Sequence, residues 1–355
     1  MSLRLESRLE ARHVVAGARW ASRRRFTLLL LSLPIPPLFT ASIVFGSYAI
    51  SPLEALAALV GTGEADATII VQSIRLPRAL AAMLGGACLG VSGAILQALF
   101  RNPLADPYIL GVSAGSTLFI ALAMLTGATL GLWSPTNPFS LYTAAFAGAL
   151  LVVILMVVLS GIVRLTSTIL IAGLMVSYLA YALTSIVQVF VDIERLRAFT
   201  YWVMGSFSGA RWSILSPGLP ILAVFLASTI VLHKPLNALL LGEEYAKSMG
   251  MSLRRVRMLI VAAAALPISV VTTIAGAVGF LGLSAPYIAR QLTQTSNHQT
   301  IIPASALIGA ALAMAADLLS RLAIRPIEIP VTAVTALFGA PLVIYLLLTG
   351  RGAHL

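Results

Sequence analysis

The sequence predicts an all-α polytopic membrane protein of about ten transmembrane helices, with both termini in the cytoplasm. Three observations lead there. Of 355 residues, 59% are hydrophobic and only 10% charged, at a mean hydropathy of +0.99; soluble chains carry about 25% charged residues. The apolar runs are continuous rather than alternating, which suits helices that pair their own backbone groups and argues against a barrel. Most of the runs also approach the roughly 20 residues that one crossing needs.

The chain opens with a polar, basic segment, 1–25, ending in Arg23-Arg24-Arg25. Its arginine content and lack of a small-residue cleavage site predict a cytoplasmic segment rather than a cleaved signal. Span 1, 26–45, holds Pro34, Pro36 and Pro37 and is expected to be bent, its freed carbonyls satisfied by neighbours. Residues 47–67 read as an outer loop with Glu54, Glu64 and Asp66. Span 2 covers 68–100. From Arg78 to Phe100 is about 33 Å at ~1.5 Å per residue, matching a hydrocarbon core of about 30 Å. That puts Arg75 and Arg78 at one surface and Arg101 at the other. Ala82, Gly86, Gly90 and Ala94 form a stripe of small residues suited to close helix packing.

Further spans fall at 110–128, 141–163, 168–190, 213–232, 254–275, 276–292, 303–321 and 331–349. The segment 276–292, "GAVGFLGLSAPYIARQL", is short, glycine-rich and broken by Pro286. It predicts a discontinuous helix of the kind found near translocation paths. The transmembrane domain is therefore 26–350, with 351–355 as a cytoplasmic tail.

The net charge is +11, and all but Lys234 and Lys247 of the 23 basic residues are arginines. They lie between apolar spans, where they orient the chain; nucleic acid is not implied. Ten spans starting inside place Arg101, Arg164, the 233–257 cluster, Arg290 and Arg351 in the cytoplasm, as the positive-inside rule asks. Arg75, Arg78, Arg195, Arg197, Arg211, Arg321 and Arg325 then form an outer excess that needs its own reason. The single cysteine, Cys88, sits mid-span and is expected to be a packing residue.

No catalytic or metal-binding constellation is legible. The four histidines are scattered, and no Gly-Lys dipeptide exists, so a phosphate loop of the G-x-x-x-x-G-K-[ST] type is excluded. Any ATP must be hydrolysed by another polypeptide. The inner segment 233–257 offers Leu236, Leu239 and Leu240 as an apolar face. Glu243-Glu244 and a short helix capped near Gly250 follow. It reads either as a loop resting on headgroups or as a short helix pair that docks a cytoplasmic partner. "RNPLADPYILGVSAGS" (101–116) reads as a tight inner hairpin. Pro103 ends span 2 at Asn102, and Asp106-Pro107 caps and starts span 3.

Motifs spread over 40–350 carry a resemblance. They are "IRLPR" (74–78), "SGAILQALFRNPLADPYILGVSAGS" (92–116), "YWVMGSFSG" (201–209), "LGEEYAKSMGM" (241–251), "GFLGLSAPYIAR" (279–290), "AADLLSR" (315–321) and "EIPVTAVTALFGAPLVIYLL" (328–347). Together they resemble the permeases of the cobalamin and iron-chelate family of ABC importers. The resemblance implies a multi-pass homodimer in a bacterial or archaeal inner membrane. Two cytoplasmic ATPase subunits carrying ATP and Mg, and one extracytoplasmic binding protein, complete it. The permease itself is expected to bind no cofactor.

By that resemblance Arg75, Arg78 and Arg321 receive carboxylates of the binding protein. Leu239, Leu240, Glu243, Glu244, Ala246, Met249 and Gly250 contact the ATPase. Asn102 and Leu104, with Thr166 and Ser167, narrow a cytoplasmic gate. Many members carry other residues at Ser284, Ala285, Tyr287, Asn297 and Gln299, which leaves the ATPase contacts less defined. The cargo expected is an iron chelate, ferric siderophore or haem, with cobalamin or an oxyanion such as molybdate as alternatives. A stand-alone secondary transporter would need coupling acids inside the membrane; Asp106, Asp192, Glu194, Asp317 and Glu328 instead fall near span ends.

Overall fold

A computed structural model describes residues 24–46, 48–130, 139–163, 165–324 and 327–349. The basic segment before Arg24, Arg164, Arg325 and the tail lie outside the described residues. A helical stretch, 24–32, leads into α1 (Ile35–Val44), and α2 is Pro52–Leu59. A short helix, Ala65–Ile69, and a wide turn, Ile70–Arg75, run into α3 (Leu76–Phe100). Then come α4 (Val112–Leu130), α5 (Phe139–Ile162), α6 (Thr166–Gln188), α7 (Ile193–Val203) and α8 (Trp212–Leu240). The chain continues through α9 (Glu243–Ser248), α10 (Leu253–Ala275), α11 (Leu281–Thr293), α12 (His298–Leu322) and α13 (Val331–Thr349).

Seven of the described helices are long and apolar enough to cross a bilayer. The shorter apolar helices α4 and α13 and the 13-residue α11 complete ten crossings. The break expected from the prolines of span 1 occurs at Leu33-Pro34, where the first crossing turns before α1.

Helix α3 is the axis of the bundle, buried along almost its whole length against α8, α10, α11 and α12. The small-residue stripe makes this approach possible. A β-carbon on Gly86 would stand 2.3 Å from the Gly309 carbonyl oxygen of α12. On the side facing α11, a β-carbon on Gly93 would meet the Gly282 backbone. Backbones at this distance gain dispersion contacts that lipid tails cannot supply.

Three boundaries differ from the sequence reading. The outer loop contains α2, whose first turn is capped by Ser51: its hydroxyl accepts the Glu54 N–H at 3.2 Å. Asp106-Pro107 does not start span 3. It caps a single 3-10 turn, Pro107–Leu110, closed by Gly111 at φ 79°, and α4 begins only at Val112. This turn is set into the bundle rather than lying flat on the inner surface. Pro107 faces Gly282, and Ile109 and Leu110 pack on Gly173, two turns into α6.

The third difference concerns 276–292, where helix begins only at Leu281. Gly276 and Phe280 both take positive φ, 71° and 67°. The unwound backbone is satisfied by hydroxyl groups. Val278 N–H donates to the Tyr108 oxygen at 3.0 Å, and Thr335 donates to the Gly279 carbonyl at 2.9 Å. Thr332 donates to the Ala277 carbonyl. Irregular backbone inside a membrane protein persists only where protein groups replace the lost helical partners in this way.

Candidate functional site

At the outer end, Arg75, Arg78 and Arg321 converge around the C-terminus of α1. The last carbonyls of a helix have no intrahelical donor, and arginines supply it here. Arg75 donates through Nη1 to Ile43 and Val44 at 2.9 and 2.6 Å, and through Nη2 to the Tyr48 carbonyl. Arg321, reaching from α12, donates to the Phe45 and Ser42 carbonyls at 3.1 Å each. Arg78 holds two carboxylates. Its Nε meets Asp317 at 2.9 Å, and its two terminal nitrogens grip Glu328 at 2.9 and 3.1 Å. Asp317, wholly buried, also pairs with Arg321 at 3.2 Å.

These are the three arginines expected to receive carboxylates of a binding protein. Arg75, Arg78 and Arg321 are only 3–5% exposed, because each already has carbonyl or carboxylate acceptors within the chain. Of the five groups, Glu328 is the one with substantial contact to solvent, its side chain 33% exposed. Asp317 and Glu328 were visible in the sequence only as acids near span ends. The i,i+4 spacing of Asp317 and Arg321 was the available signal for a pair. Nothing in the linear pattern linked Glu328 to Arg78. Arg195 and Arg197, on α7, remain near the surface: Arg195 pairs with Asp192 at 3.1 Å, and Arg197 lies over the Tyr201 ring.

At the inner end α9 projects from the bundle between Gly242 (φ 117°) and Gly250 (φ 81°). Here the expected ATPase set divides. Leu239 and Ala246 are 2% and 0% exposed, so they anchor the element to the core, and Leu240 packs beside them. Glu244, Met249 and Gly250 are exposed. Tyr245 and Leu241 join them on the open face, two residues that the sequence reading passed over. Glu244 makes a surface pair with Lys247.

Glu243 faces inward. Its carboxylate takes the Thr166 hydroxyl and Arg257 Nη2, the latter at 2.6 Å. Partial burial opposes the charge, but these two donors and Lys247 outweigh it and hold the carboxyl below its usual range. Thus Thr166, expected at the gate, and Glu243, expected at the ATPase, bond to each other.

The rest of the expected gate is built from turn chemistry. The Asn102 side chain accepts the Leu104 N–H at 2.9 Å, closing a turn just after Arg101, which takes φ 48°. Ser167 is exposed beside Thr166. Among the described residues no group of three or more His, Cys, Asp or Glu could hold a metal ion. Asn297 and Gln299, where the resemblance was imperfect, form a helix cap: the Asn297 side chain accepts the Gln299 N–H at 2.9 Å at the start of α12.

A family model described as the FecCD transport family matches residues 30–349. The chain belongs to the FecCD transport family. Among curated relatives of this FecCD chain is the vitamin B12 import system permease protein BtuC of Klebsiella pneumoniae, 39% identical over 81% of this chain and 85% of that one. An ABC transporter permease protein by name, from Methanocaldococcus jannaschii, is 34% identical over 90% of this chain and 93% of its own. A solved structure described as an inward-facing conformation of a metal-chelate type ABC transporter superposes with a TM-score of 0.78. Its identity is 30%, over 91% of this chain and 98% of that one. The FecCD chain is therefore a multi-pass permease subunit of an ABC importer in the inner membrane, a class of subunit without its own ATPase.

Proposed function

We propose that this permease moves a large metal chelate into the cytoplasm, driven by ATP hydrolysed on a separate subunit with its Mg. The observation that carries the reading is α9, a short exposed helix at the inner end of a chain with no nucleotide-binding motif. Its open face of Leu241, Glu244, Tyr245, Met249 and Gly250 suits an ATPase partner. An iron chelate, ferric siderophore or haem, is the first reading, by its frequency as cargo in the family the motifs resemble. Relatives named as vitamin B12 permeases support cobalamin as the second reading.

The assembly proposed is a homodimer with two ATPase subunits and one extracytoplasmic binding protein, the permease itself binding no cofactor. The binding protein docks over the outer cluster, where Glu328, held by Arg78, is the group in contact with solvent. Arg75 and Arg321 act from beneath it by fixing the end of α1.

Uptake into proteoliposomes tests the reading. With the ATPase and binding protein present, labelled ferric siderophore, haem or cyanocobalamin should accumulate only when ATP is supplied. Accumulation without any ATPase subunit would contradict the importer.

A further inference from the structure

Glu243 opens α9 on its N-terminal turn, and its carboxylate, a third exposed, is bonded on both oxygens to groups of the membrane helices. One oxygen accepts the Thr166 hydroxyl, and the other accepts Arg257 Nη2 at 2.6 Å. Arg257 also donates through Nη1 to the Val163 carbonyl at 3.3 Å. Thr166 is the first residue of α6, Val163 directly follows α5, and Arg257 lies in the second turn of α10. A single carboxylate thereby joins α9 to the inner ends of three membrane helices.

A second tie runs alongside. Asn237, on the last turn of α8, donates to the Asn297 side chain at 2.9 Å and accepts the His298 backbone N–H at 2.8 Å, where α12 begins. Between these ties, Gly242 and Gly250 adopt positive φ with nothing packed where a β-carbon would sit. Such joints offer little resistance to rotation. The attitude of α9 is consequently set by what Glu243 and the buried Ala246 hold.

We propose that Glu243 is a positioning residue that transmits displacement of α9 to the inner ends of α6 and α10, through Thr166 and Arg257, and is not a contact of the ATPase. This rests on the reading that α9 receives the ATPase. Charge-assisted bonds of this length are stiff and directional, so a shift of α9 moves the start of α6 with it. The signature is that a residue outside α9, Thr166, matters as much as Glu243 itself.

The test uses the full permease assembled with its ATPase subunits. Cys88 is replaced by serine, and a reporter cysteine is placed at the exposed Thr168, then labelled with a maleimide in ADP or in ATP with vanadate. The reference complex should show labelling that changes several-fold with nucleotide. Glu243→Gln and Thr166→Val should each remove most of that change while ATPase subunits stay bound and hydrolyse ATP. The double variant should lose no more than either single one, and Thr166→Ser should restore the response. A full nucleotide response in Thr166→Val overturns the proposal. So does release of the ATPase by Glu243→Gln with Thr166→Val still holding it, which would make Glu243 an ATPase contact. A reference complex whose labelling ignores nucleotide also overturns it. Failure of the underlying reading looks different: the unmodified chain would retain no ATPase subunit at all.

Discussion

The two charged clusters of this protein use the same chemistry to opposite ends. At the outer end, three arginines and Asp317 are buried, and their partners are the carbonyls of one helix end and two carboxylates. At the inner end, one carboxylate, 33% exposed, bridges elements that are otherwise joined through glycine joints. Ions removed from water are held by fixed, complete coordination, and breaking it leaves an uncompensated charge. Ions left partly in water are worth less and exchange partners more readily. The outer cluster thus behaves as a lock on α1, α3 and α12, and the inner one as a linkage.

The sharpest way to break this contrast is at Asp317. Asp317→Asn leaves Arg78 and Arg321 buried with one carboxylate fewer. The expected cost is roughly 3–5 kcal/mol, the range for removing one partner of a buried pair. Thermal unfolding in detergent should show a large drop in midpoint or loss of folded protein. A midpoint close to that of the unaltered chain would mean the outer cluster is no lock.

The inner cluster should respond far less. Glu243→Gln is expected to lower stability by about 1–2 kcal/mol, because Arg257 is buried but its carboxylate partner is a third exposed, in the same unfolding measurement. A loss as large as that of Asp317→Asn would erase the distinction between the two ends.

The smallest effect is a pH dependence. The Glu243 carboxyl titrates below its ordinary value of 4.5 in the folded chain. A depressed value contributes stability that is complete above the unfolded value and disappears as pH falls through the folded one. The difference in unfolding midpoint between the unaltered chain and Glu243→Gln should therefore be full at neutral pH. It should shrink below about pH 4.5. A difference that is constant down to pH 3 would separate the linkage from the charge on Glu243.

Much of this was legible in the chain itself. Ten crossings, the proline break in the first of them, the close packing of α3 and the interruption before α11 all follow from local composition. Length of apolar run, position of prolines and spacing of glycines are properties of neighbours in sequence. The same holds for α9, announced by Gly242, two glutamates and Gly250. The re-entrant turn at Pro107–Leu110 was read as an inner hairpin because its capping residues are correct for a helix start. Only Gly173 and Gly282, distant in sequence, provide the space that draws it inward.

The sequence by itself determined what this protein is: a ten-helix permease of an ABC importer of the FecCD family, written in hydropathy and in motifs spread along the chain. The tertiary structure decided which charges stay at the surface and which face each other. Arg78 finds Glu328 250 positions away, and Thr166 finds Glu243 across 77. The reason is physical. Hydrophobic burial is read residue by residue along a helix, whereas an ion pair exists only once two helix ends have been brought within a few ångströms by everything packed between them.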